Sequence, residues 1–269
     1  MIKFANSLNN IRLMDDLAHK ETFIHKLHPL AKLLTTVIYL AVVMSFERYE
    51  IINIIPFVIY PLLLIILADI PAVPLLHRAI LVLPFVFMIG IFNPIFDTGS
   101  IILFGITLSL GWISLFSLLI KCVLAVLAGL IFIATTRMEH FAAALRMLKV
   151  PRIFVLQVLL TYRYITVLAE EFTKMSQAYF LRSPGQTGIK PAIWGSFVGQ
   201  LLLRSFDKAE RIYQAMVLRG FNKEYNIGNF VNINFKDFAY ITCWFFYFGI
   251  AKTFNIPSLI GIYVSGVIK

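Results

Sequence analysis

Charge is scarce in this chain. Asp, Glu, Lys and Arg make up 14% of its 269 residues, against about 25% in an ordinary soluble domain. Apolar residues make up 59% and the mean hydropathy is +0.83. Too little polar surface is left to cover a water-soluble globule of this size. Cysteine is scarcer still. Cys122 and Cys243 both lie in apolar runs, and no CxxC or Cys/His zinc spacing exists. The sequence reads them as buried free thiols.

Ionisable residues inside the apolar runs are nearly missing too. The histidines, His19, His25, His28, His77 and His140, fall in polar flanks, and Asp69 and Asp97 sit at span ends. An ion-coupled carrier keeps a relay of ionisable groups near the bilayer midplane. Here only Lys121 is so placed, and a lysine at that depth is expected to face a neighbouring helix or to snorkel. No GxxxxGK[ST] loop is present, so the chain is not expected to hydrolyse ATP. GxSxG, HExxH and paired carboxylates are also missing. The expectation is a non-catalytic chain with no catalytic residue, no cofactor and no metal site. The first 28 residues include Asp15, Asp16, Lys20, Glu21 and Lys26, and so lack the apolar core of a signal peptide.

What remains is a series of runs long enough to cross a bilayer, which takes about 20 mostly apolar residues. The runs predict spans over 30–46, 51–68, 79–96 and 111–134. Asp69, His77 and Arg78 are read as a return to water before the third span. Asp97-Thr98-Gly99-Ser100 reads as a turn, and 101–110 as a partly embedded or re-entrant approach to the fourth span. Beyond 237 the chain is apolar again over 238–251 and 256–267, as one or two spans. The fold class is therefore all-α, a polytopic membrane protein with about five to six transmembrane helices and a cytoplasmic helical domain. Residues 1–29 form a cytoplasmic N-terminal segment, 30–136 the first four spans, 137–236 the cytoplasmic helical block and 237–269 the C-terminal membrane segment.

The net charge of +10 is concentrated in that block. Residues 137–236 hold 14 of the 24 Lys/Arg and 6 of the 14 Asp/Glu, a net of +8. Basic segments between spans stay on the cytoplasmic side. Nucleic acid, the other partner a basic protein suggests, is set aside because the charge lies between hydrophobic spans. Helical periodicity predicts one long helix after Pro151 and another from Pro191 to Leu218, with Gly220 ending the second as a C-terminal cap.

Two segments of the block match each other: Gln177-Ala178-Tyr179-Phe180-Leu181-Arg182-Ser183 and Gln214-Ala215-Met216-Val217-Leu218-Arg219-Gly220. Ala178 and Arg182 share a helix face, as do Ala215 and Arg219. The small residue allows close approach, and the arginine offers a hydrogen-bonding fork to carboxylates or carbonyls. A single copy is best explained as an arginine favouring its own helix C-terminus. Two copies suit docking onto a partner that comes as a pair of similar subunits, such as nucleotide-binding-cassette ATPases.

With these tips, further pieces resemble one family in order along nearly the whole chain. They are Leu27-His28-Pro29-Leu30-Ala31-Lys32-Leu33-Leu34, Thr135-Thr136, Ala144-Leu145-Arg146-Met147-Leu148-Lys149-Val150-Pro151, and Tyr162-Arg163-Tyr164-Ile165 with Glu170-Glu171. The chain resembles the transmembrane coupling component of energy-coupling-factor importers, of the cobalt-transport CbiQ type. It departs from that pattern with His28 in place of Asp, and with Leu181 and Leu218 where Ala is common. The resemblance implies two ABC-type ATPase partners and a small membrane subunit that captures the substrate. It also implies a role for Ala178, Arg182, Ser183, Ala215, Arg219 and Gly220 in contacting the ATPases. The cargo is expected to be cobalt or nickel, the alternatives being a vitamin importer or a stand-alone channel or secondary carrier. The expected location is the inner membrane, with the lipid bilayer itself as a partner.

Overall fold

A computed structural model describes residues 18–96, 99–103, 106–183, 188–221 and 234–253. Asp97, Thr98, Pro184, Gly185 and the apolar run 256–267 lie outside the described residues, as does the segment 1–17. The architecture is that of a polytopic helical membrane protein. The described residues form two compact units, one from 138–221 and one from 18–137 with 234–253.

The membrane unit opens with a short helix α1 (Phe23–Lys26) and continues with α2 (Pro29–Met44). Pro29 starts α2 because its missing N–H would be unpaired there in any case. His28 caps it, Nδ1 accepting the Leu30 N–H at 3.1 Å. Histidine thus does here what an aspartate does at other helix starts. α3 (Ile51–Leu67) is interrupted by a 3-10 turn at Ile55–Val58, where Pro56 cannot donate to the helix ladder. α4 (Ala72–Ile95) is long and apolar enough to cross a membrane. It starts earlier than the sequence suggests, so His77 and Arg78 lie inside its first segment, Ala72–Ile80. Two strands, β1 (Ser100–Leu103) and β2 (Ile106–Ser109), then form an antiparallel hairpin pairing Ser100 with Ser109 and Leu103 with Ile106. α5 (Leu110–Thr135) is the next membrane-length helix. Gly111 lets it abut α4, since a Cβ there would come within 2.7 Å of the Asn93 carbonyl oxygen.

The last described helix of this unit, α9 (Phe235–Thr253), runs parallel to α2. The two are bonded start to start, His28 N–H to Asp237 Oδ1 at 2.7 Å, and end to end, Lys252 Nζ to Ser45 Oγ at 2.9 Å. α5 runs the other way. Its end meets the start of α2 through Lys32 Nζ and the Thr135 carbonyl, and its middle meets the end of α2 through Lys121. Tyr39, Tyr60, Phe57, Trp244 and Phe248 fill the space between. Tyr39 and Tyr60 stack at 4.4 Å, and Tyr60 meets Trp244 edge-on at 4.7 Å. Two tyrosine hydroxyls donate to carbonyls of the Pro56 turn, Tyr247 to Pro56 at 2.7 Å and Tyr39 to Phe57 at 3.1 Å. At membrane depth such main-chain groups have no water and must be satisfied by protein. Cys122 is half-buried and Cys243 exposed. Neither is the fully buried thiol the apolar sequence suggests, because helices in this unit turn one apolar face outward.

The other unit contains α6 (Met138–Met147), α7 (Arg152–Arg182) and α8 (Pro191–Leu218). α7 is also long and apolar enough to cross a membrane, although its C-terminal half carries Glu170, Glu171, Lys174 and Arg182. α6 packs on α7, burying Ala142, Ala144 and Val155. Its end is a Schellman turn with Lys149 at φ 62, Val150 N–H bonding Leu145 O at 3.2 Å and Lys149 N–H bonding Arg146 O at 3.1 Å. Pro151 follows and starts α7.

Candidate functional site

Both arginine segments form the C-terminal ends of the two longest helices of their unit. Arg182 is the last residue of α7, and Ser183 caps it, its N–H bonding Phe180 O at 3.3 Å. Arg219 is the cap of α8, its N–H reaching back to the carbonyls of Ala215 and Met216. Gly220 follows at φ +82, and the turn closes with Gly220 N–H to Val217 O at 2.9 Å and Phe221 N–H to Met216 O at 3.0 Å. This is a Schellman motif, and the left-handed position suits glycine because it has no Cβ. Ala178, Arg182, Ala215, Arg219 and Gly220 are exposed, and Ser183 is half-buried.

Two observations distinguish these ends from ordinary helix termini. Neither guanidinium makes a hydrogen bond or ion pair among the described residues, so neither arginine is held in capping its own helix. Next to them stand Leu181 and Leu218, 84% and 88% exposed. Each tip thus pairs a free cation with a bare apolar side chain, the chemistry of an anchor for a partner protein.

A crossing that sequence reasoning missed sets the reach of the tips. Glu171 of α7 faces Arg204 at 3.6 Å and Lys208 at 3.5 Å on α8, and Lys174 at 3.7 Å on its own helix. Beside them Phe172 meets Phe197 edge-on at 5.3 Å, with Phe197 buried. Partial desolvation raises the Glu171 pKa, but Lys174, Lys208 and Arg204 outweigh it and hold the carboxyl below its ordinary range. Arg182 follows Glu171 by eleven residues, and Arg219 follows Lys208 by eleven. At 1.5 Å per residue the Arg182 tip therefore stands about 16 Å beyond Glu171, and the Arg219 tip about 16 Å beyond Lys208 and about 22 Å beyond Arg204. The four-residue spacing of Arg204 and Lys208 is the signal in the sequence that could have revealed this contact.

The other ionisable residues are structural in their contacts. Lys121 bonds two carbonyls at the end of α2, as expected of a lysine facing its neighbours. His25 and His28, read from the sequence as lying in a polar flank, are buried, and so is Lys32 at the start of the first span. Beside Lys32 is a cavity of about 10 Å³ lined by Lys32, Thr36, Tyr60, Thr135 and Tyr240 among others. That is room for one water molecule, so this cavity does not hold a hydrated cation. Among the described residues no group of three His, Cys, Asp or Glu could hold a metal ion.

Comparison with known proteins adds a family signal. The profile of the cobalt transport protein family, CbiQ, matches residues 20–228. Nickel permease LarQ of Lactiplantibacillus plantarum is 29% identical over 91 residues, which is 34% of this chain and 33% of that protein. The match thus spans about a third of the relative's length.

Proposed function

The chain belongs to the CbiQ family of cobalt transport proteins, and from that premise we propose that it is the transmembrane coupling subunit of an ATP-driven importer of cobalt or nickel ions. The cargo follows the family description and the name of the nickel permease relative. Two cassette ATPase subunits dock on the two tips, Ala178-Arg182-Ser183 and Ala215-Arg219-Gly220. A small membrane subunit captures the ion. ATP is hydrolysed by the partners, and this chain converts their closure into movement of its own helices.

The observation that carries this reading is the pair of exposed arginine tips, each projecting beyond the contacts between α7 and α8. A dimer of similar ATPases offers two equivalent grooves, and two tips with matching Ala and Arg spacing suit it. Movement of the ATPases then turns α7 and α8 about the Glu171 and Phe172 contacts. Residues 137–236 lie on the cytoplasmic side in this reading, supported by their net charge of +8 and the positive-inside bias. The antiparallel run of α2 and α5 supports it further, since it returns residue 137 to the side where α2 begins.

The test is co-expression with cassette ATPases and a small membrane subunit, followed by cobalt and nickel uptake into vesicles. Arg182→Glu and Arg219→Glu together exchange attraction for repulsion at both docking sites, a change of several kcal/mol. The ATPases should no longer co-purify and uptake should cease, with the subunit still in the membrane. Uptake at the normal rate in that variant overturns the assignment, as does nucleotide-independent transport by the isolated chain.

A further inference from the structure

The chain leaves the membrane unit after residue 137 and is again described in it from residue 234. Among the described residues, these two passages link it covalently to the unit that carries the arginine tips. On the outgoing strand, the end of α5, Lys32 Nζ donates to the Thr135 carbonyl at 2.7 Å, and His25 Nε2 lies 3.4 Å from the Ala134 carbonyl. Arg137 reaches the Ala18 carbonyl through Nε at 3.4 Å. On the returning strand, the start of α9, the Asp237 carboxylate accepts from His28 N–H at 2.7 Å and from Asn234 N–H at 2.8 Å. Lys32 also donates to the His25 carbonyl at 3.3 Å. Both strands are therefore fastened to one short segment, 25–32, which leads directly into α2.

The chemistry of this fastening is unusual for its depth. Lys32 and Asp237 are each 4% exposed. A buried charge is costly unless it is paired and hydrogen-bonded. Here each charge is spent on main-chain groups, Lys32 on the end of α5 and on His25, and Asp237 on His28 and on Asn234 at the start of its own helix. The carbonyls at the end of α5 lack helical partners, as at any helix C-terminus. A cationic donor holds such a carbonyl more strongly than a neutral one. An apolar contact would be non-directional and would let the strands slide.

We propose that the Lys32–Thr135 and Asp237–His28 contacts form a joint that carries ATP-driven movement of the tip-bearing unit into α2 and the membrane helices, with Lys32 and Asp237 as its positioning residues. This rests on the coupling reading above. Displacement of the tip-bearing unit reaches the membrane unit through the end of α5 and the start of α9. The joint makes both strands pull on the same segment. Without it, the strands yield separately and the movement is lost before it reaches α2.

The test uses the complete complex, reconstituted with its ATPases and capture subunit, measuring ATP hydrolysis and nickel or cobalt uptake on one sample. Lys32→Met should assemble and hydrolyse ATP, while ions moved per ATP fall about tenfold, the worth of one charge-assisted hydrogen bond. Lys32→Arg, which can still donate to the Thr135 carbonyl, should recover part of that loss. Asp237→Asn keeps the shape and removes the charge, and should also lower ions per ATP. Unchanged ions per ATP in Lys32→Met and Asp237→Asn overturns the joint. So does failure of both to assemble, which makes the contacts staples of the fold alone. A wild-type complex without ATP-dependent uptake sinks the coupling reading and the joint with it, whereas active wild type with unaffected variants sinks the joint alone.

Discussion

Lys121, in the middle of α5, donates from Nζ to the main-chain carbonyl of Phe46 at 2.8 Å and to that of Glu47 at 3.1 Å. It thereby closes the end of α2 from a neighbouring helix. One ammonium thus satisfies the Phe46 carbonyl and adds a second bond to the Glu47 carbonyl, which also accepts from Glu50 N–H at 3.4 Å. A lysine so placed fastens α5 to the end of α2.

Lys121→Met should therefore lower the stability of the detergent-solubilised chain by about 1–3 kcal/mol, the cost of leaving the Phe46 carbonyl unpaired. Transport per correctly inserted molecule should change little. A thermal unfolding curve alongside vesicle uptake separates the two effects. Complete loss of uptake in a fully inserted variant would show that the lysine acts on cargo.

The Schellman turns predict opposite outcomes at equivalent positions. Gly220 has φ +82, and a Cβ there would meet nothing within 4 Å, so Gly220→Ala carries only the backbone cost of about 1–2 kcal/mol. Lys149 holds the same conformation at φ 62 with a side chain, so Lys149→Gly should recover a few tenths to about 1 kcal/mol. Amide exchange at Phe221 should speed up in the first variant, and exchange at Val150 should slow in the second. Equal exchange at Phe221 in wild type and Gly220→Ala would contradict the turn.

The helix running from Pro191 to Leu218 is legible because proline and glycine mark its two ends, one as a first-turn residue and the other as a left-handed cap. α5 is legible because its apolar run is long and followed by a basic block. The hairpin at 100–109 is not, since a short apolar run has no period that separates strand from buried helix. The start of α4 is misread because His77 and Arg78 resemble an aqueous flank while lying on a helix. Both arginine tips stand at helix ends, where their spacing suggests. The crossing that sets their reach depends on Glu171 meeting residues more than thirty positions away. The His28–Asp237 bond spans 209 positions, and no local pattern encodes such a pairing.

The crossing of α7 and α8 should depend on packing more than on charge. Phe197 is buried against Phe172, and Phe197→Ala should destabilise the tip-bearing unit by about 3–5 kcal/mol. Glu171→Gln should cost far less, since exposed ion pairs contribute little. It should change the acid response instead. The Glu171 carboxyl is held below its ordinary range, so it stabilises the folded unit above the ordinary carboxylate pKa. That contribution disappears as pH falls through the lowered value. Acid titration of helix content should show this step in wild type and lose it in Glu171→Gln. A larger effect of Glu171→Gln than of Phe197→Ala at neutral pH would reverse the ranking.

The sidedness of the tips follows from charge and helix direction, and chemical labelling reads it directly. Leu181 and Leu218 adjoin the arginines and are almost fully exposed, so cysteines placed there report the tips without removing either guanidinium. In a chain with Cys122 and Cys243 replaced by alanine, Leu218→Cys should react with a membrane-impermeant maleimide in inside-out vesicles and stay unlabelled in intact cells. Leu181→Cys should behave the same way, because both tips belong to one unit between the same two membrane crossings. Adding the ATPases should slow labelling at both positions, since a docked groove covers the side chain next to its arginine. Labelling from outside intact cells would put the basic block on the wrong face and remove the ATPases from reach. Cytoplasmic labelling with no protection by the ATPases would leave the topology standing and exclude docking at these tips.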